Sequence, residues 1–110
     1  MKTSLHDVAE RLLATARSAP AGRGAETLQG GHNKTLRQTV IALLEDRRLD
    51  EHESPGEATL QVLRGRVRVQ SADETIEAEA GELLIIPASR HSLHALADSV
   101  ILLTVAKLIA

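Results

Sequence analysis

The chain is organised around Leu49–Gly65, LDEHESPGEATLQVLRG. It holds His52, a turn signal at Pro55-Gly56, a strand pattern in which Ala58, Leu60 and Val62 recur at every second position, and a closing glycine. Period-two recurrence puts those three side chains on one face of a strand. A second stretch, Gly81–Ala95, GELLIIPASRHSLHA, repeats the plan: glycine, apolar run, proline turn, then His91.

Strand patterns run from Ala25 onward at 25–28, 35–44, 58–64, 66–71, 75–78, 83–87, 92–97 and 99–107. Gly30-Gly31, Glu45 to Pro55, Gly65, Ala72 to Glu74 and Ala80-Gly81 mark the bends between them. Short strands at such spacing predict an all-β sandwich or barrel. Residues 66–70 alternate as Arg-Val-Arg-Val-Gln, which buries one face and wets the other. Residues 83–86, Leu-Leu-Ile-Ile, are continuously apolar and are expected to be covered on both sides. Ahead of the strands, residues 4–18 predict a helix: Ser4 and Asp7 are spaced as a capping box, and Leu5, Val8, Leu12 and Ala16 form a stripe that Ala9 and Leu13 widen. Pro20 to Gly24 ends it. The expected organisation is a helix and linker over 1–24 and one barrel domain over 25–110.

Composition narrows the function classes. The chain has 110 residues, no Cys, no Phe, Tyr or Trp, and a net charge of −2. Disulfides, thiolate metal sites and a cysteine nucleophile are excluded. The aromatic platforms on which single-strand binders stack bases are absent, so nucleic acid is not an expected partner. The longest apolar run, Val100 to Ala106, falls short of a membrane span, which needs about 20 residues. Asp7, Glu10 and Arg11 interrupt any leader-like apolar run, and the expected location is cytoplasmic.

The two glycine-to-histidine stretches resemble the paired motifs of the cupin family, over about residues 35 to 107. That resemblance implies an antiparallel β-barrel of the RmlC-like, jelly-roll type, with the motif histidines at one mouth. Cupin metal centres take three histidines and a carboxylate. Counting back from Gly65, the first histidine position is His52, the second is Ser54, the glutamate position is Ala58 and the leading glycine position is Asp46. In the second motif Gly81 and Pro87 match, Ser89 replaces a glycine, His91 arrives one residue early and Ala95 stands for an asparagine.

Alanine offers a metal no donor and a serine hydroxyl is a weak one. The reading is therefore a small-molecule-binding cupin without a tightly held catalytic metal, with His52, Ser54, Gln38, Gln61, Arg64 and His91 as candidate ligand contacts. No cofactor is expected. The alternative is a metal-dependent dioxygenase or isomerase holding a divalent transition metal through His52, His91 and a borrowed Glu57 or Gln38. Adjacent strand residues face opposite ways, so Glu57 reaches the interior only through a bulge. His94, three residues past His91, is expected on the opposite face, His6 in solvent, and His32 in a loop. Arg66 and Arg68 are expected to pair with Glu77 and Glu79 across a strand pair. The apolar stretch Val100 to Val105 carries more hydrophobic surface than one buried face needs, which predicts a homodimer.

Overall fold

The computed structural model describes residues 1–53, 56–87 and 89–107, with His52 described through its backbone alone. One helix, α1 (Leu5–Ser18), precedes nine strands: β1 (Arg23–Gln29), β2 (Leu36–Leu43), β3 (Arg48–His52), β4 (Gly56–Arg64), β5 (Arg66–Ser71), β6 (Thr75–Glu79), β7 (Leu83–Ile85), β8 (His91–Ala95) and β9 (Ser99–Lys107). They form a five-stranded sheet, β1-β2-β9-β4-β7, facing a four-stranded sheet, β3-β8-β5-β6, with every pairing antiparallel. Leu60, Val62, Ile101 and Val105 of the first sheet meet Val67, Val69 and Leu93 of the second in one aliphatic core.

Strand β3 occupies a segment whose sequence predicts bends. Its residues, Arg-Leu-Asp-Glu-His, carry one apolar side chain and no strand signal of their own. Pairing with β8, where Leu49 faces Leu93, supplies what local propensity lacks. Strand β1 likewise begins inside the expected linker, at Arg23.

The helix forms where its apolar stripe predicts. Ser4 caps it by accepting the Asp7 N–H at 3.2 Å, and Arg17 in its last turn lies 3.8 Å from Asp98. Val8, Ala9, Leu12, Leu13 and Ala16 pack on Val40, Ala42 and Val100, on the side of the five-stranded sheet that faces away from the barrel interior. Part of the apolar excess of β9 is thus covered by the chain's own helix.

The helix does not reach β7. This three-residue edge strand pairs only with β4, and Leu83 and Ile85 are 60% and 70% exposed, whereas Leu84 and Ile86 point into the core. The expectation that 83–86 is covered on both sides is therefore wrong. Its apolar outer face is real, but nothing in the chain lies over it among the described residues.

Gly65 joins the two sheets at φ 79°. A Cβ there would lie 2.4 Å from both the Asp98 carbonyl oxygen and Ser99 Oγ. No helix among the described residues is long and apolar enough to cross a membrane.

Candidate functional site

The registers place the ends of the strands. Gly56 pairs with Lys107, Leu36 with Ala106 and Ser71 with His91, so the β1–β2, β3–β4, β5–β6 and β7–β8 connections gather at one end of the barrel. His52 and His91 are Cα partners across β3 and β8 at that same end, although 39 positions separate them in sequence.

His91 is the described functional candidate that faces inward. It shares its side of β8 with buried Leu93 and Ala95 and is itself only 5% exposed. Its Nδ1 lies 3.0 Å from the Ser89 carbonyl oxygen. A carbonyl only accepts, so Nδ1 is the donor in this contact. Around the ring lie Leu60, Ile86, Leu93 and Leu103, bounding a cavity of about 30 Å³. That is room for a water molecule or two, not for an organic ligand. Among the described residues the barrel interior is filled by aliphatic side chains.

The other candidate contacts divide sharply. The side chain of His52 and all of Ser54 lie outside the described residues. Gln38 shares a face of β2 with Val40 and Ala42 beneath the helix, and its Nε2 donates to Thr104 Oγ1 at 3.3 Å on the outer surface of the sheet. Gln61 lies between inward Leu60 and Val62, so strand alternation turns it outward, where it is exposed. Neither reaches the mouth interior. Arg64 is on the same parity as Ala58, Leu60 and Val62, which predicts an inward side chain, yet it ion-pairs with Glu10 of the helix and contacts His6 Nδ1 at 2.8 Å. A bulge explains the departure: Val62 pairs with Ile101 and Arg64 with Val100, so two residues of β4 stand against one of β9 and the alternation flips. His6 is exposed but not without contacts, since it meets Arg64.

The family-type metal set does not fit these side chains. Ala58 and Ala95 are buried methyls on the inner face, and Glu57 is exposed on the outer one, opposite Ala106. Among the described residues no group of three or more His, Asp or Glu is arranged to hold a metal ion. Asp46, at the motif's leading glycine position, still adopts φ 68°, the left-handed conformation a glycine would favour, so the local turn survives the loss of the residue. His94 takes the opposite face, as expected, with Nε2 3.3 Å from Asp46 Oδ1.

Glu77 joins Arg66 at 2.7 Å and Arg68 at 2.8 Å across β5 and β6, as their spacing predicts. Hydrogen bonds from Arg68 and then Arg66 hold the Glu77 carboxyl below the usual carboxylate range. Glu79, the Cα partner of Arg66, makes no ion pair with either arginine among the described residues, so Glu77 alone takes the role expected of both acids. One feature of the mouth went unread in the sequence: Arg90, whose Nε donates to Glu51 Oε1 at 3.1 Å and ties the β7–β8 loop to β3.

A double antiparallel sheet closed around aliphatic side chains, with its histidines at the loop end, is the architecture of a cupin. The solved structures agree. A conserved Streptococcus pyogenes protein of unknown function matches with a TM-score of 0.74 at 28% identity, over 84% of this chain and 80% of that one. A cupin superfamily protein from Desulfitobacterium hafniense matches with a TM-score of 0.71 at 15% identity over 77% of each chain. An RmlC-like cupin from Desulfovibrio desulfuricans gives 0.65 at 23% identity, over 76% of this chain and 81% of its own. No protein-family model and no curated protein matches the chain. The chain has the RmlC-like cupin fold.

Proposed function

We propose that this protein is a non-enzymatic small-ligand-binding cupin whose ligand rests on the barrel mouth beside His91 and His52. The observation that carries the reading is the pairing of an inward, nearly buried His91 with a methyl at position 58, where the family motif has its carboxylate. An imidazole with its Nδ1 proton committed to Ser89 is suited to orienting a polar ligand head. The alternative, a metal-dependent enzyme with Glu57 or Gln38 borrowed as ligands, loses support because both side chains lie on the outside of the five-stranded sheet.

Elemental analysis of purified protein, alongside thermal melts in chelator, is the test. Sub-stoichiometric metal and an unchanged melt are expected. Near-stoichiometric iron, manganese, nickel or zinc that His91→Ala removes would overturn the proposal in favour of the enzyme.

In this reading the protein works as a homodimer. Leu36, Leu83 and Ile85, with half-buried Leu102, lie on or beside the part of the five-stranded sheet that the helix leaves uncovered. Apart from Glu57 at one corner this face carries no charge, so two copies meet there without like-charge repulsion.

A further inference from the structure

We infer that the mouth is built for a small organic carboxylate, held by Arg37; this rests on the mouth-binding reading above and names its ligand class. Arg37 belongs to the face of β2 that carries Thr39 and the core residue Ile41, on the barrel side of the sheet. Its Cα partner is Val105, and Val105 in turn pairs with Ala58, so Arg37, Val105 and Ala58 form one row across the sheet at the loop end. Neighbouring strands are about 4.8 Å apart, which sets Arg37 roughly 10 Å from the position where the family's carboxylate would stand. A glutamate there would compete for the guanidinium, and this chain has a methyl instead.

The Arg37 side chain is exposed and has no hydrogen bond or ion pair among the described residues. The reason is visible in the sequence: no Asp or Glu occurs between Thr27 and Leu44, nor between Ser99 and Lys107. The corner formed by β1, β2 and β9 therefore holds cations only. Lys107 Nζ donates to the Gly31 carbonyl at 3.2 Å, and Lys34 sits in the same β1–β2 loop. Of the nearby acids, Glu57 is on the outer face, Glu26 is held by Arg11, and Glu51 and Glu53 across the mouth are engaged by Arg90.

The hydroxyls of Thr27 and Thr39, 3.3 Å apart, add neutral hydrogen-bonding groups one row deeper. The guanidinium fork matches a planar carboxylate with two parallel hydrogen bonds. The row beyond it is aliphatic, through Val105 and Ala58 toward Ile86, and suits a short alkyl portion better than a heavily hydrated dianion. With the cavity beneath only about 30 Å³, that alkyl portion lies over the row rather than within the barrel.

The test is a titration of labelled protein with butyrate, 1-butanol and inorganic phosphate, followed through the backbone amides of Thr39, Ala58 and Val105. Wild type is compared with Arg37→Gln and with Arg23→Gln, which removes an exposed cation at the opposite end of the sheet. Saturable butyrate binding is expected, weakened about tenfold or more in Arg37→Gln, as loss of a charge-assisted pair implies, and unchanged in Arg23→Gln. Butanol binding as tightly as butyrate, or full affinity in Arg37→Gln, would overturn the carboxylate assignment while leaving a ligand at the mouth. Phosphate binding more tightly than butyrate would also overturn it. If none of the probes moves these amides, both the assignment and the mouth-binding reading fail.

Discussion

Arg64 grips Glu10, so a side chain that strand alternation would send into the barrel instead fastens the helix to the outside of it. The hydrogen bond and charge of Arg64 hold the Glu10 carboxyl below its ordinary value of 4.5, and Arg11 does the same to Glu26 on β1. A carboxyl with a depressed pKa in the folded state binds fewer protons there than in the unfolded chain, so stability rises with pH through this range. The contribution is fully present above about 4.5 and is lost as pH falls through the lower folded values. Denaturant melts from neutral pH downward are expected to weaken below that point, and Glu10→Gln with Glu26→Gln should flatten the decline. Because both groups are exposed, the change will be small and will shrink further at high salt. An unchanged pH profile in the double variant would remove these pairs as its cause.

Gly65 and Gly81 both have positive φ, 79° and 92°, but only Gly65 is hemmed in by backbone. A Cβ at Gly81 meets nothing within 4 Å. Gly81→Ala should therefore cost only the left-handed backbone penalty, about 1–2 kcal/mol. At Gly65 alanine adds overlap with the Asp98 carbonyl and with Ser99 Oγ, which accepts the Arg66 N–H at 3.1 Å. That variant should lose at least about 2 kcal/mol more, in the range reserved for strain and broken buried hydrogen bonds. Equal costs in chemical denaturation would mean that the sheet-to-sheet junction relaxes freely.

The exposed pair Leu83 and Ile85 gives the proposed dimer its clearest lever. Wild type at micromolar concentration is expected to sediment as a dimer, and Leu83→Lys with Ile85→Lys as a monomer near 11.8 kDa with its melt retained. Wild type sedimenting at 11.8 kDa would refute the pairing. Placing lysines on an edge strand is also how natural sheets avoid unwanted pairing, so solubility should not suffer.

Much of this was legible in the residues themselves. Strand punctuation by Gly65, Gly81 and Pro87, the alternation of Ala58, Leu60 and Val62, and the stripe of α1 are local patterns, and each element stands where its pattern puts it. The register that sets Glu77 opposite Arg68, within reach of Arg66, also follows from local spacing across a tight turn. Tertiary structure decided what depended on partners distant in the chain. Strand β3 exists because β8 pairs with it, and β7 is exposed because it lies at a sheet edge beyond the helix. Arg64 left the barrel because β9 accepted two residues of β4 against one, a register fact that no window of sequence contains. Gln38 and Gln61 were placed outside by which face the core claimed, and the leucines and isoleucines that close around His91 left only about 30 Å³ beside it. Alternation assigns residues to two faces; only packing chooses which of them is the inside.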